Sequence, residues 1–380
     1  MELRAFGNTD MKVSPLGFGV MRLPMKDGGK TVNSNTIDQV DVDTSIAMIR
    51  TAIDGGVNYF DTAYNYVSGY SERILGKALK DGYREKVHVA TKMPLCLVEK
   101  PEDFERFLTT QLERLEIGAI DFYLFHALDR KEWDKVKRFG LLEKMERAKQ
   151  EGKIRRIGFS FHDDYEIFQQ ILDEYDGWEF CQIQLNYVGV DYQAGIRGLE
   201  YAASKGLGVV IMEPLLGGKL AAPPRGVQAA LDDEKTPVEW ALDFLWNRPE
   251  VTLLLSGMST MQQAEDNLLY ADRARVGMLN DGQLAMLARA KTAYDTIALV
   301  PCTKCRYCMP CPFGVEIPRV FEGYNMTVSQ GMDAAAAFYA EIEGKADQCR
   351  ACRKCEKVCP QHIEISAVLA EACAAFAGNS

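Results

Sequence analysis

The sequence predicts an α/β fold, a (β/α)8 barrel of the TIM type, followed by a small all-helical region at the C-terminus. Short β-branched or apolar runs alternate with longer stretches of helical period, the pattern of repeated βα units around a parallel sheet. Eight such runs over about 270 residues suit a closed barrel better than an open doubly wound sheet. The GxGxxG turn of dinucleotide-binding open sheets is also missing from the first βα connection. From Pro301 onward the composition shifts to Cys, Ala and Met with little strand character.

The expected strands are Ser14 to Gly19, Val57 to Asp61, Val87 to Lys92, Phe122 to His126, Ile154 to Ser160, Cys181 to Leu185, Gly208 to Met212 and Thr252 to Ser256. Between them, Thr44 to Asp54 repeats Ile46, Ile49 and Ile53 on one helical face before Gly55 and Gly56 end it. The same period predicts helices at Glu102 to Leu115, Leu141 to Glu151, Tyr165 to Tyr175, Ala194 to Lys205, Pro237 to Asn247 and Met261 to Tyr270. Beyond Pro301, Met332 to Ile342 and Ile365 to Phe376 read as Ala-rich helices. The expected division is a barrel over 1–298 and a second domain over 299–380.

With 380 residues, 47% hydrophobic and 26% charged, the chain has the composition of an ordinary globular protein. A net charge of -10 argues against nucleic-acid binding, which needs clustered Lys and Arg. The first residues lack the apolar stretch of a signal peptide, and no segment is apolar enough to span a membrane. A cytoplasmic location in a reducing, low-oxygen cell is the expectation.

Eight of the eleven cysteines fall into two runs: Cys302, Cys305, Cys308 and Cys311 before Pro312, and Cys349, Cys352, Cys355 and Cys359 before Pro360. Three thiolates spaced by two residues on one loop wrap three corners of a cubane, and a Cys-Pro closes that site or reaches a second cluster. Zinc sites use two separated CxxC pairs, and disulfide frameworks belong to small secreted chains, so iron-sulfur is the reading. Cys96, Cys181 and Cys373 lie outside the runs and read as buried residues.

A barrel carries its active site at the C-terminal ends of its strands. Asp61 ends strand two, Tyr66 follows on its loop, Lys92 ends strand three and His126 ends strand four. A tyrosine with an ordinary pKa near 10 is a poor acid at neutral pH, and a nearby cation brings it down. Lys92 can be that cation, Asp61 can hold it charged, and His126 can hydrogen-bond a substrate oxygen. Such a site donates a proton to oxygen as hydride reaches carbon.

The run Asp61-Thr62-Ala63-x-x-Tyr66, then Gly69-x-Ser71-Glu72, with Lys92 and His126 at their strand ends, resembles the aldo-keto reductase family over residues 1 to 298. The resemblance implies that Tyr66 is the general acid, tuned by Lys92 and Asp61, with His126 orienting the carbonyl or alcohol substrate. Tyr64 is the rival, at the wrong spacing. It also implies a nicotinamide cofactor, NADPH or NADH, held at Gly19, Met21, Arg22, Ser160, Gln184, Met212, Leu215, Gly217, Gly218, Lys219, Gly257, Met258, Gln263 and Asn267. Phe161 replaces the Asn that usually follows the Ser, and Met212 stands where many members stack an aromatic ring. The positions that usually surround the NADP 2'-phosphate are here Gly257, Met258 and Gln263, none of them charged. Either NADH is used, another Arg such as Arg22 compensates, or the cofactor pocket has been turned to something else. The substrate's surroundings are expected to be apolar, from Phe161, Met212 and the region of Trp133.

The cysteine runs resemble ferredoxin-like two-cluster domains, in which Cys311 and Cys359 would cross to the other run's cluster. The first run has two residues before its last Cys where three are usual, which keeps open, beside two clusters, a single 4Fe-4S cluster on the second run with the first partly structural. Lys304, Arg306, Arg350, Arg353, Lys354 and Lys357 interleave with the cysteines, either to offset cluster charge or to dock an acidic carrier such as a ferredoxin or flavodoxin. Nicotinamide moves two electrons and a cluster one, so a flavin converter near strands seven and eight is a further expectation. Against the enzyme stand two other classes: an electron-transfer protein on a reductase-like barrel, and a redox sensor.

Overall fold

The structure is a computed structural model and describes residues 1–28, 37–296 and 299–377. A short antiparallel ribbon, β1 (Arg4–Ala5) and β2 (Lys12–Val13), opens the chain. Eight parallel strands then close into a barrel: β3 (Leu16–Gly19), β4 (Tyr59–Asp61), β5 (His88–Met93), β6 (Ile120–Leu128), β7 (Ile154–Phe161), β8 (Phe180–Gln184), β9 (Gly208–Met212) and β10 (Leu253–Ser256). Neighbours in sequence are neighbours in the ring, and β10 returns to β3 with Leu254 opposite Leu16. Each expected strand is present.

The barrel interior is aromatic at its base. Tyr59, Phe122 and Phe180 point inward, and Phe6 of the ribbon packs on Phe122, the rings tilted by 44° with centroids 4.5 Å apart. The backbone of Gly7, in the left-handed region, runs against Gly208 at the start of β9 in a space no Cβ could share. The N-terminal end of the barrel is thereby plugged, and polar side chains gather at the other end.

In chain order the helices from β3 to the end of the strand region are α1 (Val42–Asp54), α2 (Ser71–Ala78), α3 (Asp103–Leu115), α4 (Arg130–Arg138), α5 (Leu141–Gln150), α6 (Tyr165–Glu174), α7 (Gly195–Ser204), α8 (Arg225–Gln228), α9 (Pro237–Trp246) and α10 (Met261–Asp272). Periodicity did not predict α4. It is so rich in charge that Trp133 and Val136 alone form its apolar stripe, and its start is fixed by Asp129 accepting from the Glu132 N–H at 2.6 Å.

Packing groups the chain into two units: Met1–Pro214 with Ala241–Asn280, and Leu215–Trp240 with Asp281–Ser380. The first contains every barrel strand. The second contains α8, α11 (Asp281–Asp295), α12 (Ile317–Ser329), α13 (Met332–Ala340) and α14 (Ile365–Ala377). Its core is built on Val315, Ile317, Phe321, Ile342, Ile365 and Leu369, with six of the cluster-run cysteines packed against it. α12 was not expected, because Pro318 looks like a breaker; it sits in the first turn, where its missing N–H costs nothing. Among the described residues no helix is long and apolar enough to cross a membrane.

Candidate functional site

Lys92 is the hub of the barrel's polar end. Its side chain is 1% exposed, and its Nζ donates to Asp61 Oδ1 at 2.6 Å, to the Thr62 carbonyl at 2.8 Å and toward the Tyr66 hydroxyl at 3.4 Å. An ammonium has three N–H donors, and here each meets an oxygen. Burial pushes the Asp61 carboxyl up and the Lys92 ammonium down, and each partner opposes the other's shift. The ion pair is the state that satisfies all three donors, so we take Lys92 as charged. An oxygen that accepts from Lys92 must turn its own proton elsewhere, and that leaves Tyr66 oriented as a donor.

The Tyr66 turn is held in an unusual backbone. Val67 and Ser68 both adopt left-handed conformations, at φ 52° and 51°. For a β-branched residue this is strained by about 1–3 kcal/mol. Gly69, at φ +86°, lets the Arg114 guanidinium lie 3.1 Å from where a Cβ would stand. Arg114 donates to the Tyr64 carbonyl at 2.8 Å and to buried Glu72 at 3.1 Å. Tyr64 itself packs edge-on to Phe107 and beneath Arg114, toward α3.

Behind Lys92, Glu72 Oε1 accepts from Thr91 and from Gln111, each at 2.7 Å, while Gln111 also donates to the Lys92 carbonyl. Ser71 donates to the Val20 carbonyl and pairs with the Thr62 hydroxyl. Ser71 and Glu72 thus tie α2 to the ends of β3, β4 and β5. Thr62, Glu72, Gln111 and Arg114 were not singled out as site residues from sequence. The Thr62 contribution is a backbone carbonyl, which no residue type announces.

His126 stands edge-on to Tyr66, ring centroids 5.9 Å apart. The β6–β7 register slips between Phe125 and Leu128, and Ala127 takes φ 56°, so a bulge redirects the chain immediately after His126. Ser160 Oγ accepts from the Ala127 N–H at 2.7 Å and anchors that bulge. Burial first, then the nearby Lys92 and His162 charges, hold the His126 pKa well below its ordinary value, so the ring is neutral.

This has a consequence for stability. The unfolded histidine takes up a proton below about pH 6.5, whereas the folded one does not, so stability present above that pH is lost as pH falls. We expect His126→Gln to flatten the acid limb of stability against pH by up to about 1.4 kcal/mol per unit. Denaturant midpoints across the range would show it, and parallel curves for the two proteins would refute it. His88, also lowered by burial, retains its own share.

The positions expected to hold a cofactor divide between the two units. In the first, Gly19 lies beside Ser256 and Gly257, and the Arg22 stem occupies the space a Gly257 Cβ would need. Arg22 Nη1 is buried with no hydrogen-bond partner. Met21 is partly buried in the same turn. Asn267 donates to Ser256 Oγ at 3.0 Å, Met258 is buried, and Gln263 is engaged with the Ser259 N–H at the start of α10. Gln184 is buried at the end of β8, and Met212 is partly buried at the end of β9.

Leu215, Gly217, Gly218 and Lys219 belong to the second unit. There Gly217, at φ +66°, lies against the Thr303 carbonyl so closely that no side chain would fit. Three smaller expectations are corrected. Phe161 faces the helix layer, fully buried on Phe168 of α6, and Trp133 is buried against Trp178 with its N–H on Glu174, so neither is a pocket wall. Cys96 is exposed because it lies on the short turn Leu95–Leu97 beyond β5.

The two cysteine runs share one backbone pattern. The second and fourth residues after the first Cys of each run are left-handed: Lys304 and Arg306, Ala351 and Arg353. In each run the N–H two residues on points at the first sulfur, Lys304 N to Cys302 and Ala351 N to Cys349, both at 3.4 Å. Cys302, Cys305 and Cys308 line a small pocket together with Cys359 of the other run, walled by Ile317, Pro318, Phe321, Ile363 and Ile365, with Arg306 and Gln361 also on its lining. The buried Thr303 hydroxyl on this pocket has no protein partner. Cys311 in turn lies close enough to Cys355 to raise its thiol pKa, though burial is the larger cause. Among the described residues no group of His, Cys, Asp or Glu side chains converges to hold a metal ion; four thiols ring a pocket instead. A ring of thiolates with N–H groups aimed at sulfur, an apolar wall and an unpaired hydroxyl fits an iron-sulfur cluster. No cysteine is in a disulfide.

The sequence profile of the aldo/keto reductase family matches residues 15–276. The chain belongs to that family. A 4Fe-4S dicluster domain profile matches residues 301–364, so this aldo-keto reductase carries an iron-sulfur domain behind its barrel. It is 30% identical over 293 residues to an L-galactose dehydrogenase of Arabidopsis thaliana, across 70% of this chain and 87% of that one. It is also 30% identical over 236 residues to an NADH-specific methylglyoxal reductase of Escherichia coli, across 56% and 67%. Among solved structures, aldo-keto reductase AKR11C1 from Bacillus halodurans superposes with a TM-score of 0.63 at 24% identity, covering 76% of this chain and 96% of that one. This aldo-keto reductase is thus an oxidoreductase with a (β/α)8 barrel and a helical iron-sulfur region.

Proposed function

We propose that the chain is an NAD(P)-linked oxidoreductase that reduces a small carbonyl, or oxidises the corresponding alcohol, and exchanges single electrons through two C-terminal 4Fe-4S clusters. The observation that carries the reading is the saturated Lys92 ammonium, pinned by Asp61 and Thr62 and reaching the Tyr66 hydroxyl. The nicotinamide, when bound, supplies or takes the hydride. Tyr66 hands its proton to the substrate oxygen, Lys92 stabilises the phenolate left behind, and Asp61 keeps Lys92 charged in a buried site. Neutral His126 offers an N–H to the same oxygen and fixes its direction.

Ser160 and Gln184 are proposed to hold the carboxamide, with Met212 against the nicotinamide ring. The uncharged Gly257, Met258 and Gln263 favour NADH, and the E. coli relative named NADH-specific points the same way. Arg22, with its unpaired Nη1, is the group that would admit NADPH. The matching backbones of the two cysteine runs support two clusters rather than one. By chemistry we divide the chain into a reductase domain, 1–298, and a cluster domain, 299–380, working in the cytoplasm. A bound flavin would reconcile two-electron with one-electron transfer.

The test is to purify the protein without oxygen, add NADH and then NADPH, and follow cluster absorption with and without a panel of small aldehydes. Carbonyl-dependent nicotinamide oxidation is expected, with NADH preferred. Clusters that bleach with nicotinamide alone indicate an internal converter, and heat-released flavin would identify it. No turnover with any carbonyl, in protein whose clusters dithionite reduces, would overturn the enzyme reading.

A further inference from the structure

The two cysteine runs share a backbone but not a setting. The pocket of Cys302, Cys305, Cys308 and Cys359 has an apolar wall, buried Thr303 beside it, and two neighbouring cations, Lys304 paired with Glu322 at 2.6 Å and a single exposed one, Arg306. The other run is open. Cys352 is exposed, and so are Arg350, Ala351, Arg353, Lys354 and Lys357 around it. Between Cys349 and Val358 four cations face one carboxylate, Glu356, in a chain whose net charge is -10.

Glu356 is itself occupied by the Ser366 N–H at 2.8 Å, and Arg353 only approaches it at 3.9 Å. Val358, on the same stretch, is an apolar side chain 48% exposed; Phe313, just after the first run, is 44% exposed, and the turn that follows it lies against Gln348. Cations that served to offset cluster charge would be held near sulfur, as buried groups. Charges projecting into water act on what approaches, with a reach of about 10 Å at 0.1 M salt.

We infer that the second run is the electron port of the molecule: its exposed basic face docks a small acidic one-electron carrier protein, and the walled first-run cluster is the inner station. This rests on the proposed two-cluster reading. Each encounter moves one electron between carrier and outer cluster, with no bond made and no proton transferred. The basic rim steers the encounter and Val358 supplies the desolvated centre.

The experiment uses the full chain with both clusters, dithionite-reduced and freed of excess reductant, mixed in stopped flow with an oxidised acidic ferredoxin, a neutral quinone or basic cytochrome c. Carbonyl and nicotinamide are left out, so the result is independent of carbonyl turnover. The ferredoxin rate is expected to fall at least about tenfold between about 0.02 and about 0.5 M ionic strength. It should fall similarly in R353E/K357E of unchanged iron content, while the quinone rate holds in both. If that variant loses iron, R350Q/K354Q and the wild-type salt series decide. A ferredoxin rate indifferent to salt and to the charge changes, or a faster reaction with cytochrome c than with ferredoxin at low salt, would overturn the assignment.

Discussion

Replacing Tyr66 by Phe is expected to lower carbonyl reduction by about 10² to 10⁴-fold, the range for losing a positioned general acid. The cluster spectrum should stay as it was. The substitution removes one oxygen and keeps the ring, so the edge-on contact with His126 and the strained Val67–Ser68 turn retain their packing. Lys92 keeps its two short bonds, to Asp61 and Thr62, and gives up only the longest, at 3.4 Å. Stability should therefore change little, and lost activity would report the proton alone. Tyr64→Phe is the matched control, since that ring faces Phe107 and Arg114. Steady-state turnover with a reactive aldehyde is the measurement, and an undiminished rate in Tyr66→Phe would remove the tyrosine from the chemistry.

Cys359→Ser is expected to behave as a lesion in the first cysteine run, although it sits ten residues beyond Cys349 and forty-eight beyond Cys311 in sequence. Its thiol closes the pocket of Cys302, Cys305 and Cys308, and the backbone N–H groups of the following turn oppose the rise that burial imposes on its pKa. Roughly half the iron should go, as it should in Cys302→Ser, and the double variant should lose no more than either single one. Cys311→Ser should instead pair with Cys349→Ser. Iron content and low-temperature EPR of the reduced proteins separate the two sites. If Cys359→Ser matched Cys349→Ser spectroscopically, the crossing would be refuted.

Position along the chain was legible in sequence where a side chain's type and its place on a strand are enough. Asp61, Lys92 and His126 are legible because a charged or titratable residue at the end of an apolar run has few structural reasons to be there. The eight strands followed from the same runs. Thr62 was illegible as a partner because it works through its carbonyl, and Arg114 because only the fold brings an α3 residue to the turn after β4. Phe161 misled for the opposite reason. A strand alternates its faces, and the residue after Ser160 points to the helices. The cysteine runs announced a cluster, but their shared left-handed backbone and unequal exposure belong to three-dimensional packing.

The segment Leu215–Trp240 lies in sequence between strands β9 and β10, yet it packs with the cysteine-bearing half of the chain, as α11 does. The polypeptide passes from one unit to the other after Pro214, Trp240 and Asn280, three times rather than once. A tail joined at a single point can be cut off, expressed alone or grafted onto another host. This one is expected to resist all three, because a fragment beginning at 299 would leave behind α8, α11 and Gly217, whose backbone seats against Thr303. A break at residue 299 is therefore expected to separate the cysteine region from part of its own packing, so that it is expected to fold poorly when expressed alone.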